Sequence, residues 1–158
     1  MKRDPESIGA AIGRIPSGCA ILTAAHGGQS TGLLVSWVQQ AAFEPPSVTV
    51  ALKQGRPAGL LVDGSKRFTL NVIGDDPSAM FKHFGKGFGP DENAFKGIEI
   101  EASEFGPLLP ECIAQLGCEV THKVSVGDHD LYVATVVAGR GTAGAKPYIH
   151  SRKSGLSY

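Results

Sequence analysis

Lys53 and Arg56 flank Gly55 at the point where a β-alternating run gives way to a helix start at Pro57. Backbone N–H groups at a helix start, joined by two cations, make a phosphate cradle. On spacing alone the same pair reads as two solvated loop charges. Ser36 and Trp37 lie together inside an apolar run. A lone tryptophan beside a hydroxyl suits the wall of a site for a planar aromatic ligand, and it equally suits a core. Gln39 and Gln40 extend that run with amides on both faces, which marks an edge, an interface or a ligand contact. His129 falls in the tight turn Gly127-Asp128-His129. There it is either a solvated side chain or, if the turn faces a site, a contact for a substrate carboxamide or a proton carrier near neutral pH. No G-x-S-x-G elbow, P-loop or G-x-G-x-x-G is present. No acid–base or nucleophile constellation stands out, so a reaction here would take its chemistry from a cofactor.

These residues need elements to hold them. Asp4 and Pro5 start a helix with Ile8, Ala11 and Ile12 on one face, stopped by Gly13 and Pro16. Strands are expected over 19–24, 31–40 and 47–52, the first two joined by a hairpin at His26-Gly27-Gly28-Gln29. Pro57 opens a short helix closed by Gly64, and 68–73 is a fourth strand. Asp76-Pro77 begins a helix whose apolar face is Met80, Phe81 and Phe84, and 85–97 reads as a glycine-rich, mobile surface loop. Two more strands, 112–126 and 131–138, surround the turn that holds His129. Six strands joined largely by hairpin-length connections, with few helices, imply an all-β fold with peripheral helices, closed as an antiparallel barrel.

The composition narrows the partners. At 158 residues the chain is expected to be one domain, 1–158, with enough length for a core. Lys and Arg total 15, as do Asp and Glu, so the formal charge is zero and no general nucleic-acid surface is expected. Gly 21 and Pro 10 make up about a fifth of the chain, against a background of about 12%, which disfavours a helical bundle. No apolar run reaches the ~18 residues of a membrane span. Arg14 interrupts the nearest approach to a signal peptide. The odd set Cys19, Cys112 and Cys118 has no CxxC spacing, and the five histidines form no HxxxH pair, so reduced thiols, no metal site and a cytoplasmic setting are expected.

A family comes into view through four features in order. The run Ser30-Thr31-Gly32-Leu33-Leu34-Val35-Ser36-Trp37-Val38-Gln39-Gln40-Ala41-Ala42-Phe43-Glu44-Pro45-Pro46 resembles the flavin reductase-like, FMN-binding split-barrel family. The strand after the prolines with its Lys53 to Pro57 turn, the F-x-x-N-V pattern at Phe68 to Val72, and the Gly127-Asp128-His129 turn continue the resemblance over nearly the whole chain. Ser36-Trp37-Val38, Lys82-His83-Phe84 and Arg152-Lys153-Ser154-Gly155 are closest to the flavin reductase module at the C-terminus of cyanobacterial flavodiiron (diflavin) proteins. There the module follows flavodoxin-like and di-iron domains that are not found in this sequence. The start at Met1-Lys2-Arg3-Asp4 fits a module cut from a longer chain, with a free-standing reductase as the alternative.

The resemblance implies a six-stranded Greek-key split barrel that forms a homodimer and binds FMN near the subunit interface. By position, Leu34, Val35, Ser36 and Trp37 would line the flavin ring and ribityl chain. Ala51, Leu52 and Lys53 would approach from the strand end, and Arg56 would meet the phosphate. Arg56 replaces a serine common in relatives, and Gln40 stands where many carry a second serine facing the ribityl chain. His129 would sit on the nicotinamide side and orient NADH or NADPH for hydride transfer to flavin N5. In the fused setting, electrons would pass on to oxygen or nitric oxide at the di-iron site. A flavin-binding electron relay without NAD(P)H turnover is the rival reading, since one fold hosts both.

Overall fold

Residues 19–24 are apolar or small at nearly every position, so a strand there must be buried on both faces. The structure, a computed structural model, describes residues 2–156. In chain order the elements are α1 (Pro5–Ile12), β1 (Ser17–Gly18), β2 (Ala20–His26), β3 (Gln29–Val35), β4 (Val38–Phe43), β5 (Pro46–Lys53), α2 (Pro57–Ser65), β6 (Arg67–Val72), α3 (Ser78–Phe84), β7 (Ala114–Val126), β8 (His129–Gly141) and β9 (Ile149–His150). Strand β2 is two-faced as its composition requires. Ala20, Leu22 and Ala24 join the core shared with Val50, Phe68, Leu70 and Tyr132. Ile21, with Cys19 just ahead of the strand, joins a second core with Met80, Phe84, Phe95 and Leu109. The period-2 alternation of a strand produces this division.

The main sheet has seven strands in the order β3-β2-β6-β7-β8-β5-β4, and β1 pairs with β9 in a separate ribbon. The strand count corrects the expected six. The expected strand 31–40 is two strands, because Ser36 and Trp37 leave the ladder between β3 and β4. That break explains the barrel. β3 and β4 are the two ends of the sheet, which would lie about 29 Å apart if seven strands were flat, at about 4.8 Å per step. The chain from Val35 to Val38 spans at most about 11 Å. The sheet must therefore curl until its ends meet at Ser36 and Trp37, split there rather than closed by a ladder. Helix α2 contributes Ala58 and Val62 to the inner core.

Helix α1 forms where its cap predicts, with Asp4 Oδ1 accepting from the Ser7 N–H at 2.9 Å. Its packing face differs from expectation. Ile8 and Ile12 are exposed, whereas Gly9 and Gly13 face the C-terminal segment. The 85–97 loop also departs from its reading as a mobile surface segment. Ala94 and Phe95 are buried in the second core, and His83 Nε2 lies 2.8 Å from the Ala94 carbonyl oxygen.

Buried polar residues of the sheet hold the loop before β7. The Thr69 hydroxyl donates to the Gly106 carbonyl at 3.0 Å, and Gln115 Nε2 donates to the carbonyls of Leu109 and Cys112 at 2.8 and 2.9 Å. Asn71, fully buried, donates through Nδ2 to the Ile21 carbonyl and accepts the Leu109 N–H at 2.8 Å. Gly106 has φ +132°, and a Cβ there would stand 2.6 Å from the Thr23 carbonyl oxygen, so only glycine lets the loop approach β2 this closely.

Candidate functional site

The meeting of the sheet ends places side chains from non-adjacent elements around one cavity of ≈ 550 Å³. Small-molecule and cofactor sites span roughly 300–1,000 Å³. Eight of the ten residues expected at a cofactor or catalytic site line this cavity: Leu34, Val35, Ser36, Trp37, Ala51, Leu52, Lys53 and Arg56. Their convergence is topological. The end of β3 meets the end of β5, and the Ala51 N–H donates to the Trp37 carbonyl at 3.1 Å, which holds the link against β5.

Gln40 is not among the lining residues. It is exposed on β4 beside the bulge between Gln40 and Ala42, and its Nε2 donates to the Ala42 carbonyl at 3.4 Å. The expectation for Gln40 comes from the family resemblance, by its place four residues after Ser36, and here the chain leaves the ladder at Ser36 and Trp37 before β4 begins. His129 stands just behind the lining. Its ring centroid is 4.6 Å from that of Trp37 at 39°, and it pairs with Lys53 across the β5–β8 ladder. His129 Nδ1 lies 2.8 Å from Asp128 Oδ1, and this hydrogen bond is the main cause of a lowered Asp128 pKa. The turn is held further by the Gln54 N–H donating to the Asp128 carbonyl at 3.0 Å. Asp130 accepts from Ser125 Oγ, Gln54 Nε2 and Lys123 Nζ.

Several lining residues were not anticipated: Leu33, Cys19, Phe81, Gly85 and the segment 150–154. The last begins at the end of β9 and lines the site, with the Arg152 guanidinium 5.0 Å over the Trp37 ring. The Arg152-Lys153-Ser154-Gly155 run carried a family resemblance but no indication of where the chain would lie. Burial raises the Cys19 thiol pKa to about 11, so Cys19 is a neutral apolar wall and not a nucleophile. All three cysteines are free and buried. Among the described residues, no cluster of side chains suits a metal ion.

The lining fits a flavin mononucleotide in kind. Leu33, Leu34, Val35, Ala51 and Leu52 supply apolar wall for a ring system, and the cations at the start of α2 suit a phosphate. Arg56 is the N-cap residue of α2 and makes no capping hydrogen bond. Among the described residues no carboxylate lines the cavity, and Arg56 takes part in no ion pair. An unpaired guanidinium beside an apolar cleft suits an anionic ligand that brings its own charge.

Comparison with known proteins points to flavin chemistry in general. Residues 12–156 match the flavin reductase like domain. The chain is 37% identical over 151 residues to diflavin flavoprotein A 1 of Synechocystis sp., covering 94% of this chain and 26% of that protein. It is 36% identical over 161 residues to a diflavin flavoprotein A 3 of Nostoc sp., covering 100% of this chain and 28% of the relative. The chain thus spans about a quarter of the length of the curated relatives it matches. Among solved structures, the styrene monooxygenase flavin reductase of Pseudomonas putida S12 aligns with a TM-score of 0.75 at 27% identity, covering 90% of each chain. The Streptomyces globisporus NADH:FAD oxidoreductase SgcE6 aligns at 0.83 with 17% identity, over 90% of this chain and 85% of that one, a likeness of fold. With a match that runs almost from end to end and relatives at 36–37% identity, the chain belongs to the flavin reductase-like domain family.

Proposed function

We propose that the chain is an FMN-dependent NAD(P)H oxidoreductase module, working as the electron-input unit of a longer diflavin flavodiiron protein that reduces oxygen or nitric oxide. The observation that carries this reading is the cavity itself: an apolar wall beside the cations Lys53 and Arg56, with Trp37, in ring contact with His129, on the same lining. The bound flavin would supply hydride acceptance at its N5. The protein's own residues bind and position. Leu34, Val35, Ala51 and Leu52 exclude water from the ring. Lys53 and Arg56 hold the phosphate, and Ser36 offers a hydroxyl to the ribityl chain. Trp37 and His129 together define the place of the nicotinamide. His129, held 2.8 Å from Asp128 Oδ1 through Nδ1, orients the nicotinamide carboxamide and need not transfer a proton. A homodimer and partner domains in a parent chain complete the proposal.

Anaerobic titration tests it. The protein is loaded with FMN, excess is removed, and flavin absorbance is followed as NADH and then NADPH are added. Rapid bleaching by either nucleotide is the expected result. Flavin that bleaches with dithionite but with neither nucleotide would favour the relay reading. A second expectation concerns the phosphate end. Arg56→Ala should weaken FMN binding by about 1.5–3 kcal/mol, the size of a lost charge-assisted hydrogen bond. An unchanged FMN dissociation constant would remove Arg56 from the site.

A further inference from the structure

The cavity carries more positive charge than one mononucleotide phosphate calls for. Lys53 ends β5 and Arg56 is the N-cap residue of α2, whereas Arg152 and Lys153 stand on the segment after β9. Arg56 and Arg152 lie against different surroundings, while Lys53 is the ladder partner of His129. Arg56 faces Gly87, where a Cβ would stand 3.2 Å from Arg56 Nη1, and it shares a small cleft with Phe88. Arg152 lies over Trp37, whose ring is the one in contact with His129. Arg152 is therefore the cation that lies on the side assigned above to the electron donor, over the Trp37 ring.

We infer that the 150–154 strap is the seat for the diphosphate of the pyridine dinucleotide, with Arg152 as the residue that grips it. This rests on the NAD(P)H reading above and adds where the donor's charged half is held. The strap is built to present side chains to the cavity. Its backbone is tied to α1 by the Arg152 N–H donating to the Gly13 carbonyl at 3.3 Å and the Gly155 N–H donating to the Gly9 carbonyl at 2.7 Å. Gly9 and Gly13 permit that approach, since a Cβ at Gly13 would fall 2.6 Å from the Arg152 carbonyl oxygen and one at Gly9 2.7 Å from Ser154 Oγ. Arg152 has no carboxylate partner among the described residues, and Ser151 and Ser154 place hydroxyls on the same wall. His150, at the head of the strap, has its Nδ1 buried without a hydrogen-bond partner among the described residues. A planar guanidinium flanked by hydroxyls and a second cation matches a diphosphate, which offers several oxygens to a bidentate donor.

The test uses the FMN-loaded protein and the oxidised nucleotides NAD+ and NADP+, whose binding is read by calorimetry without turnover. Arg152→Ala is expected to raise the dissociation constants of both by about tenfold or more, a change of about 1.4 kcal/mol at tenfold. FMN affinity and melting temperature should be unchanged. In turnover, KM should rise while kcat holds, and Arg152→Lys should recover part of the loss. Gly13→Ala, which displaces the strap without touching its charges, should weaken nucleotide binding in the same direction. Unchanged nucleotide affinity in Arg152→Ala would overturn the inference. So would an equal loss of FMN affinity, or a loss confined to NADP+, which would point to the 2′-phosphate instead. Bleaching of the unmodified protein by NADH or NADPH reports separately on the underlying reading: turnover with no effect of Arg152→Ala sinks the strap alone, while absence of both turnover and nucleotide binding sinks both.

Discussion

Asn71→Ala should cost about 3–4 kcal/mol of stability and lower Tm by roughly 10 °C. Asn71 is fully buried on β6. Its Nδ2 donates to the Ile21 carbonyl at 3.1 Å and to Thr23 Oγ1 at 3.2 Å, and its Oδ1 accepts the Leu109 N–H at 2.8 Å. One amide thus joins β2, β6 and the loop that covers the second core. A typical hydrogen bond is worth about 1 kcal/mol net, but truncation leaves the buried partners unsatisfied, at about 1–3 kcal/mol each where water cannot reach. Asn71→Asp keeps the shape and reverses the polarity. Its carboxyl would face the Ile21 carbonyl, so burial and missing donors would raise its folded-state pKa. A raised carboxyl pKa means that stability falls as pH rises through the acid range, so this variant should melt lower at pH 7 than at pH 4. Thermal melts of both variants at the two pH values check this. An Asn71→Ala melt within 2 °C of the parent would show the amide to be dispensable, since roughly 2–4 °C corresponds to 1 kcal/mol at this size.

What could be read from the sequence and what could not divide by range. Asp4 capping α1, the glycine hairpin between β2 and β3, and the Met80–Phe84 face of α3 are local signals, and each forms where the residues indicate. The break at Ser36 and Trp37 is not local. No glycine or proline marks it, and apolar residues continue on both sides, so 31–40 reads as one strand. It is imposed by curling of the sheet, which brings β3 and β4 together only after five other strands are in place. Gln40 stands on β4 beyond the same break and is not among the residues that line the cavity. The strap was hidden more deeply. Its position depends on Gly9 and Gly13, about 140 residues away, whose role is to be small where α1 shows two isoleucines that look like its packing face. A pattern search for apolar periodicity cannot see a contact made by the lack of a side chain.

His129→Ala is expected to reduce kcat/KM for the nicotinamide nucleotide by about 10²–10³-fold, the scale of a misplacement near 1 Å or of one lost polar contact to a reacting group. Three features make His129 a rigid positioner. It is nearly buried at 7% exposure, its Nδ1 is held 2.8 Å from Asp128 Oδ1, and its ring lies against Trp37. The Asp128 carboxyl is held below its usual pKa by that hydrogen bond. Flexible groups would spend part of any binding energy on being ordered, whereas this ring is ordered beforehand. The effect should therefore fall on the rate of flavin bleaching and leave FMN affinity within about twofold, because Lys53 and Arg56 are untouched. Asp128→Asn should act in the same direction and less strongly, since the amide can keep the ring's orientation while losing the charge that fixes its tautomer. The melting temperature separates chemistry from folding, because His129 also packs on Trp37. A stable, flavin-loaded His129→Ala protein that bleaches at the parent rate would remove His129 from the nicotinamide side and leave Trp37 and the Arg152 strap as the donor's only contacts there.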